Sequence, residues 1–319
     1  MGLAKRLGQA PRDIAEALVA ELGDADGLVD SAEVAGPGFI NFRLAKTAWQ
    51  NQVAQILRSG AEYGSLTRPE TERIQVEFVS ANPTGPLSTG HGRQAVLGDC
   101  ISRLLEKVGY DVTREYYFND GGRQMRVLGE SVKARYLELL GQAASPSLEA
   151  LADSESAWEE TREDLPVVFP RDGYQGDYIV SIARDLVEES GESLVEEPGD
   201  GVFREHAQKL IFAEIIATLD SIGVEFGVHF NEKSLYEGGQ IDEVIEDLRG
   251  RDLVYEGEGA VWLAATKLSL DRDRVLVKST GEPTYLLPDI AYHMDKFKRG
   301  FDHVVDVLGA DHIEQFPFV

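Results

Sequence analysis

The chain has 319 residues, 43% of them hydrophobic and 27% charged, and 56 acidic against 31 basic side chains give a formal net charge of −25. This length accommodates two domains or one large domain with an insertion; the absence of any run of 18 apolar residues argues against a membrane-spanning helix, and the acidity argues against a surface built to attract polyanions. A single cysteine, Cys100, excludes an internal disulfide and fits a reducing compartment, so the cytoplasm is the expected location.

The first residues lack the long apolar core and small-residue cleavage site of a signal peptide. "PRDIAEALVAEL" has apolar residues at helical spacing, with Pro11 in the first turn. "GPGFINFRLA" reads as a turn and an alternating strand, and "KTAWQNQVAQILRSG" as a helix stopping at Gly60. A polar linker, "EYGSLTRPETER", follows, broken by Gly64 and Pro69. Next come the strand "RIQVEFVS", a helix "GRQAVLGDCISRLLEKVG" ending at Gly109, and the strand "YDVTREYYF". Strand, helix and strand over this distance make a βαβ unit and hence a parallel sheet. Cys100, on an apolar helical face, is expected in the core.

From about Gly121 to Gly259 the pattern is helical, in "RQMRVLGESVKARYLELLG", "GDYIVSIARDLVEES" and "HAQKLIFAEIIATLDSIG". Within it, Glu149 to Glu205 holds roughly 17 acidic and about 4 basic side chains, which reads as a solvated stretch. Sheet patterns return in "GAVWLAAT" and "RVLVKS", then a helix in "TYLLPDIAYHMDKFKRG", then a strand entering the turn "GADH". Lys296, Lys298 and Arg299 read as a solvated helix end at the negative pole of the dipole. The expected architecture is therefore an α/β Rossmann-like parallel-sheet domain split by a helical insertion, with a small α+β domain before it.

Between the first strand and its helix lies "ANPTGPLSTGHGR". In an open parallel sheet, ligands bind beyond the carboxyl ends of the strands, where a helix N-terminus favours phosphate. Gly90 and Gly92 allow close backbone approach, His91, Ser88 and Thr89 are donors, and Pro83 and Pro86 stiffen the entry. The same stretch also fits an ordinary capped turn, and it has neither the dinucleotide nor the P-loop glycine spacing. Asp289 likewise fits either a ligand-facing carboxylate or a helix-start carboxylate satisfying the dipole. The nine-residue separation of His303 and His312 argues against a shared metal, and no metal ligand is assigned.

"VEFVSANPTGPLSTGHGRQAVLGD", "GYDVTREYYFNDGGRQM" and "VLVKSTGEPTYLLPDIAYHMDKFKRGFDHVVDVLGADH" together resemble the catalytic core of class I arginyl-tRNA synthetases of bacterial type, and "VAGPGFINFRL" extends the resemblance towards the N-terminus. "STGH" falls at the family's HIGH signature, with Ser88 in place of its first histidine. The KMSKS-type loop and anticodon-binding domain of the family lie beyond Val319, and the family's N-terminal domain begins before Met1. The resemblance thus implies a partial tRNA-binding-type N-terminal domain over 1–62, the two halves of the catalytic domain over 63–129 and 259–319, and an insertion over 130–258.

By residue, the resemblance implies that Ser88, Gly90 and His91 form the catalytic phosphate-contacting set. Pro86, Thr89, Gly92, Gly309, Asp311 and His312 complete the ATP site. Arginine is held by Glu77, Asn82, His91, Tyr285, Asp289 and Gln315, with Asp289 on the guanidinium and Tyr285 beside it. A guanidinium is a permanently charged planar fork that carboxylates match with paired hydrogen bonds. The implied reaction joins L-arginine to tRNA(Arg) with ATP as substrate and Mg²⁺ assisting, in a monomer. Loss of the signature's first histidine and of the loop implies poor turnover by this chain alone. Two other readings are an inactive fragment or paralogue that binds tRNA or a protein, and a different class I-type adenylate-forming enzyme.

Overall fold

The computed structural model describes residues 2–142, 158–159, 169–170, 172–314 and 316–319, which fall into two compact units, Met1–Thr67 and Arg68–Val319. The first unit holds helices α1 (Gly2–Leu7), α2 (Pro11–Leu22) and α3 (Lys46–Ser59) and an antiparallel pair, β1 (Val29–Ala35) and β2 (Phe39–Leu44). Pro11 opens α2, where its missing N–H costs nothing, and Gly60 closes α3 in a left-handed conformation.

The second unit is built on a four-stranded sheet in the order β11 (His303–Val307), β3 (Arg73–Phe78), β4 (Asp111–Phe118), β7 (Val228–Asn231), every neighbouring pair parallel. Residues 74–78 of β3 are all buried, as a central parallel strand requires. Helix α4 (Thr89–Lys107) makes the crossover from β3 to β4 and turns Ala95, Gly98 and Ser102 to the sheet. Cys100 lies on the opposite side and is exposed, which corrects its expected place in the core. The buried stripe of α4 is set by its small residues, and position 100 is off that stripe.

Helices α5 (Gly122–Leu139), α6 (Asp177–Ser190) and α7 (Arg204–Ser221) share one core with the sheet, in which Tyr116 of β4 meets Phe212 and Phe226 edge-on. A short antiparallel pair, β5 (Trp158–Glu159) and β6 (Phe169–Pro170), lies between α5 and α6 in sequence, and much of the first half of the acidic stretch falls outside the described residues. Residues 228–231, read from sequence as insertion, instead form a strand of the main sheet beside β4. Helices α8 (Lys233–Glu237) and α9 (Gln240–Gly250) follow, then an antiparallel sheet in the order β10 (Arg274–Val277), β9 (Ala260–Leu263), β8 (Val254–Gly257). Helix α10 (Leu286–Lys298) packs its buried face into a second core with Leu235, Val244, Leu263 and Leu276 before the chain returns as β11.

Close approach of α4 to β3 depends on Gly98, where an added Cβ would lie 2.1 Å from Cγ of Phe78. Gly98→Ala is therefore expected to lose about 1–3 kcal/mol, in spite of alanine's better helix propensity. Urea unfolding at unchanged m-value checks this; an unmoved midpoint would mean that Phe78 yields without cost.

Candidate active site

Strand register brings three acids side by side. Asp306 of β11 pairs with Glu77 of β3, and Glu77 pairs with Glu115 of β4. In-register neighbours share a face of the sheet, and like charges placed so destabilise it. All three side chains are nearly or wholly buried.

Helix α10 crosses that face with a cationic stripe. Lys296 Nζ donates to Glu77 Oε2 and Asp306 Oδ1, both at 2.6 Å. Arg299, just past the helix end, donates two bonds to Glu115 at 2.7 and 2.8 Å, and Tyr292 Oη donates a third at 2.7 Å. His293 stands between Asp306 Oδ2 (2.9 Å from Nε2) and the carbonyl oxygen of Asp289 (2.8 Å from Nδ1). Of the expected solvated helix end, Lys298 is exposed, but Lys296 is fully buried and Arg299 partly so, because the strands beneath present carboxylates to them.

Burial first, and the neighbouring Asp306 charge, push the Glu77 carboxyl above the ordinary carboxylate range, while Lys296 opposes them. For Asp306, burial acts in the same upward sense, yet the hydrogen bond from His293 and the charge of Lys296 overcome it and hold the group well below that range.

Beyond β3 the chain turns abruptly. Val79 and Ser80 adopt φ of +70° and +42°, a conformation that non-glycine residues occupy at a cost of about 1–3 kcal/mol each. The turn lets Ser80 Oγ donate to Glu77 Oε1 at 2.8 Å and accept from the Tyr117 N–H at 3.2 Å. Asn82 Oδ1 then accepts from the Asn119 N–H at 2.9 Å, joining the strand ends of β3 and β4.

A cavity of about 380 Å³ opens beyond these strand ends. Of the residues expected from sequence, Glu77, Asn82, Tyr285, Asp289 and His312 all line it. Tyr285, 75% exposed, precedes α10, and Asp289 sits in its first turn. The lining reaches α4 at Gln94, one turn on from His91, and it includes Leu308 and His312 on either side of Gly309 and Asp311. Gln315 lies outside the described residues.

Ser88 caps α4: its Oγ accepts from the His91 N–H at 3.4 Å, and its own N–H donates to His91 Nδ1 at 3.1 Å. Nε2 is then the ring's donor. Ser88, Thr89 and Gly90 are exposed at the start of α4, in a first turn whose amides have no intrahelical acceptor, while Pro86 is exposed ahead of it.

Two functional candidates were not read from the sequence. Glu232, between β7 and α8, lines the cavity, is mostly buried, and accepts from Tyr117 Oη at 2.6 Å. Burial raises its carboxyl, with Tyr117, Asn119 and Tyr236 as donors opposing; burial and Glu232 in turn push the Tyr236 hydroxyl up to about 12. A lone glutamate after a four-residue strand carries no signal of this. Asp120 accepts from Gln208 and Asn231, both at 2.9 Å, so "NDGGRQ" ties the end of β4 to α7 and β7. Asn119 Oδ1 accepts from the Gly121 N–H at 2.8 Å, but Gly121 itself is the helix cap.

A parallel sheet with a helix N-terminus after its first strand and a cavity beyond the strand ends is a Rossmann-like architecture, and the match to a family model makes it a class I synthetase-type catalytic domain. Residues 52–316 match the family model for tRNA synthetases class I (R), catalytic domain, and residues 1–44 match that for the arginyl tRNA synthetase N-terminal domain. The chain belongs to the arginyl-tRNA synthetase family. Its relatives include arginine–tRNA ligases of Desulfotalea psychrophila, 48% identical over 100% of this chain and 53% of that protein, and of Salinibacter ruber, 47% identical over 99% and 56%. A solved structure described as an arginyl tRNA synthetase, from Campylobacter jejuni, is 30% identical with a TM-score of 0.72, covering 86% of this chain and 56% of its own. The arginyl-tRNA synthetase of Thermus thermophilus shares the fold, with a TM-score of 0.58 at 24% identity over 92% of this chain and 46% of its own. The chain spans about half the length of the curated relatives it matches.

The Asp306 contacts generate a pH dependence. A carboxyl held below its ordinary value binds fewer protons folded than unfolded, so its stabilisation is complete above about pH 4 and disappears as pH falls through the folded value. Between about pH 4 and pH 2, Asp306→Asn is expected to lose stability less steeply than the unsubstituted chain. Parallel slopes in acid unfolding titrations would contradict this.

Proposed function

We propose that this chain carries the catalytic portion of an arginine–tRNA ligase, which activates L-arginine with ATP and transfers it to tRNA(Arg) in the cytoplasm. The observation that carries the proposal is the cavity wall itself. Glu77, Glu232, Asp289 and Asp306 surround one chamber, and Lys296 neutralises part of that charge from beneath. Such a chamber favours a ligand with two positive groups, and Tyr285 gives the planar guanidinium a flat face. We assign Asp289 and Glu232 to the guanidinium, and Glu77 with Asn82 to the α-amino end.

The nucleotide is the opposite case. Its phosphates meet the exposed amides of Thr89 and Gly90 and the Nε2–H of His91, in the positive field at the start of α4. ATP arrives as its Mg²⁺ complex, and no residue of this chain is assigned to the metal. One carboxylate oxygen of arginine attacks the α-phosphorus and pyrophosphate leaves. A hydroxyl of the terminal ribose of tRNA then attacks the carbonyl carbon of the adenylate, and AMP leaves. Neither step requires a protein nucleophile, so positioning and charge neutralisation carry the rate. Ser88 supports this arrangement by capping α4 and fixing the tautomer of His91, in place of the donor that the family's first histidine would provide. An open cleft adjoining the cavity across Tyr285 is lined by Trp262, by Arg272 and Arg274, and by Asp273 and Glu314; its aromatic side chains offer stacking to the single-stranded end of the tRNA.

Calorimetric titration tests the amino-acid assignment. L-Arginine is expected to bind at least tenfold more tightly than L-lysine, and Asp289→Ala to weaken arginine by roughly 10–100-fold, as loss of a charged partner does. Equal binding of the two amino acids, or an unaffected variant, would remove arginine as the substrate.

A further inference from the structure

Lys296 stands apart from the groups that face the ligand. Its side chain is fully buried, and it is absent from the cavity wall that both of its carboxylate partners line. Its Nζ also sits 4.2 Å from the centre of the Tyr292 ring, so every side of the ammonium is enclosed. A buried ion pair gives little net stability over apolar packing of the same volume. What this one yields is a pair of carboxylates fixed side by side at the cavity floor.

We propose that Lys296 is a positioning residue for amino-acid binding: from behind the cavity wall its ammonium holds Glu77 and Asp306 together and charged, so that the substrate's ammonium meets a carboxylate already in place. The inference rests on the reading of the cavity as an arginine site and deepens it. Ser80 fixes the other oxygen of Glu77, and His293 fixes the other oxygen of Asp306 while bonding the backbone of Asp289. The array therefore spans from the residue assigned to the α-amino group to the residue assigned to the guanidinium.

Without the lysine, burial and the Asp306 charge both favour the protonated form of Glu77, and of the opposing contacts only the hydrogen bond from Ser80 remains. The other charged or titratable groups around it are already engaged. Glu115 is held by Arg299 and Tyr292, Asp306 by His293, and Glu232 by Tyr117, with Asp289 at the start of α10. A protonated Glu77 attracts the ammonium weakly, and raising the pH restores its charge.

The experiment is calorimetric titration of L-arginine into the unsubstituted chain and into Lys296→Met between pH 6 and pH 9, with melting temperatures alongside. At pH 7 the variant is expected to bind arginine roughly 10–100-fold more weakly, with the deficit shrinking as pH rises and with proton release on binding that the unsubstituted chain lacks. Where Lys296→Met does not fold, Lys296→Gln is used instead and the same pH slope is expected. A deficit of equal size at every pH would overturn the proposal, as would unchanged affinity beside a lowered melting temperature. Failure of both variants to fold would assign Lys296 to stability and overturn it too. Failure of the unsubstituted chain to bind arginine would strike instead at the proposed function.

Discussion

Three buried carboxylates on three adjacent strands, answered by the cations of one helix, are the constraint on which the rest of this molecule depends. Asp306, Glu77 and Glu115 would repel one another across a parallel sheet whose neighbouring backbones lie about 4.8 Å apart. Lys296 and Arg299 turn that repulsion into a clamp between α10 and β11, β3 and β4. Removing one partner from such a set typically costs about 3–5 kcal/mol, because it strands a charge away from water. The clamp also holds against the sheet the helix that carries Asp289 in its first turn. Stability and the shape of the cavity wall thus draw on the same contacts.

Two opposite fields meet at the ends of the strands. The chamber under α10 is acidic, and the first turn of α4 offers bare amide hydrogens. A cationic group and a polyanionic group would each find, at neighbouring strand ends, the field that suits it. Backbone strain serves the same end. The left-handed pair Val79 and Ser80 bends the chain off β3 so sharply that one serine hydroxyl reaches both Glu77 and the backbone of β4.

Much of this could be read from the chain itself, for identifiable reasons. The continuous apolar run of β3, the turn after it and the amphipathic α4 are local patterns, so the βαβ unit and its crossover were legible. Glu77, Asn82, Tyr285, Asp289 and His312 were legible through resemblance, and they do share one cavity. Strand β7 was not, because "VHFN" is four residues with a polar half, between two helices. Lys296 and Arg299 were misread because cations at a helix C-terminus satisfy the dipole rule perfectly well in solvent. What buries them is the register of strands more than 180 residues earlier in the chain. Glu232 was invisible for a similar reason, since its significance comes from Tyr117 on another strand.

The order of strands in the sheet bears on how the protein is made. During synthesis β3 and β4 emerge within a few dozen residues of one another, but Lys296 follows Glu77 by 219 residues. At roughly 5–20 residues per second, translation leaves that flank of β3 uncovered for on the order of ten seconds or more. An uncovered strand edge is an invitation to pair with another nascent chain. Here the edge carries a glutamate with no cation yet to meet it, and its unrelieved charge would keep strangers off until β11 arrives.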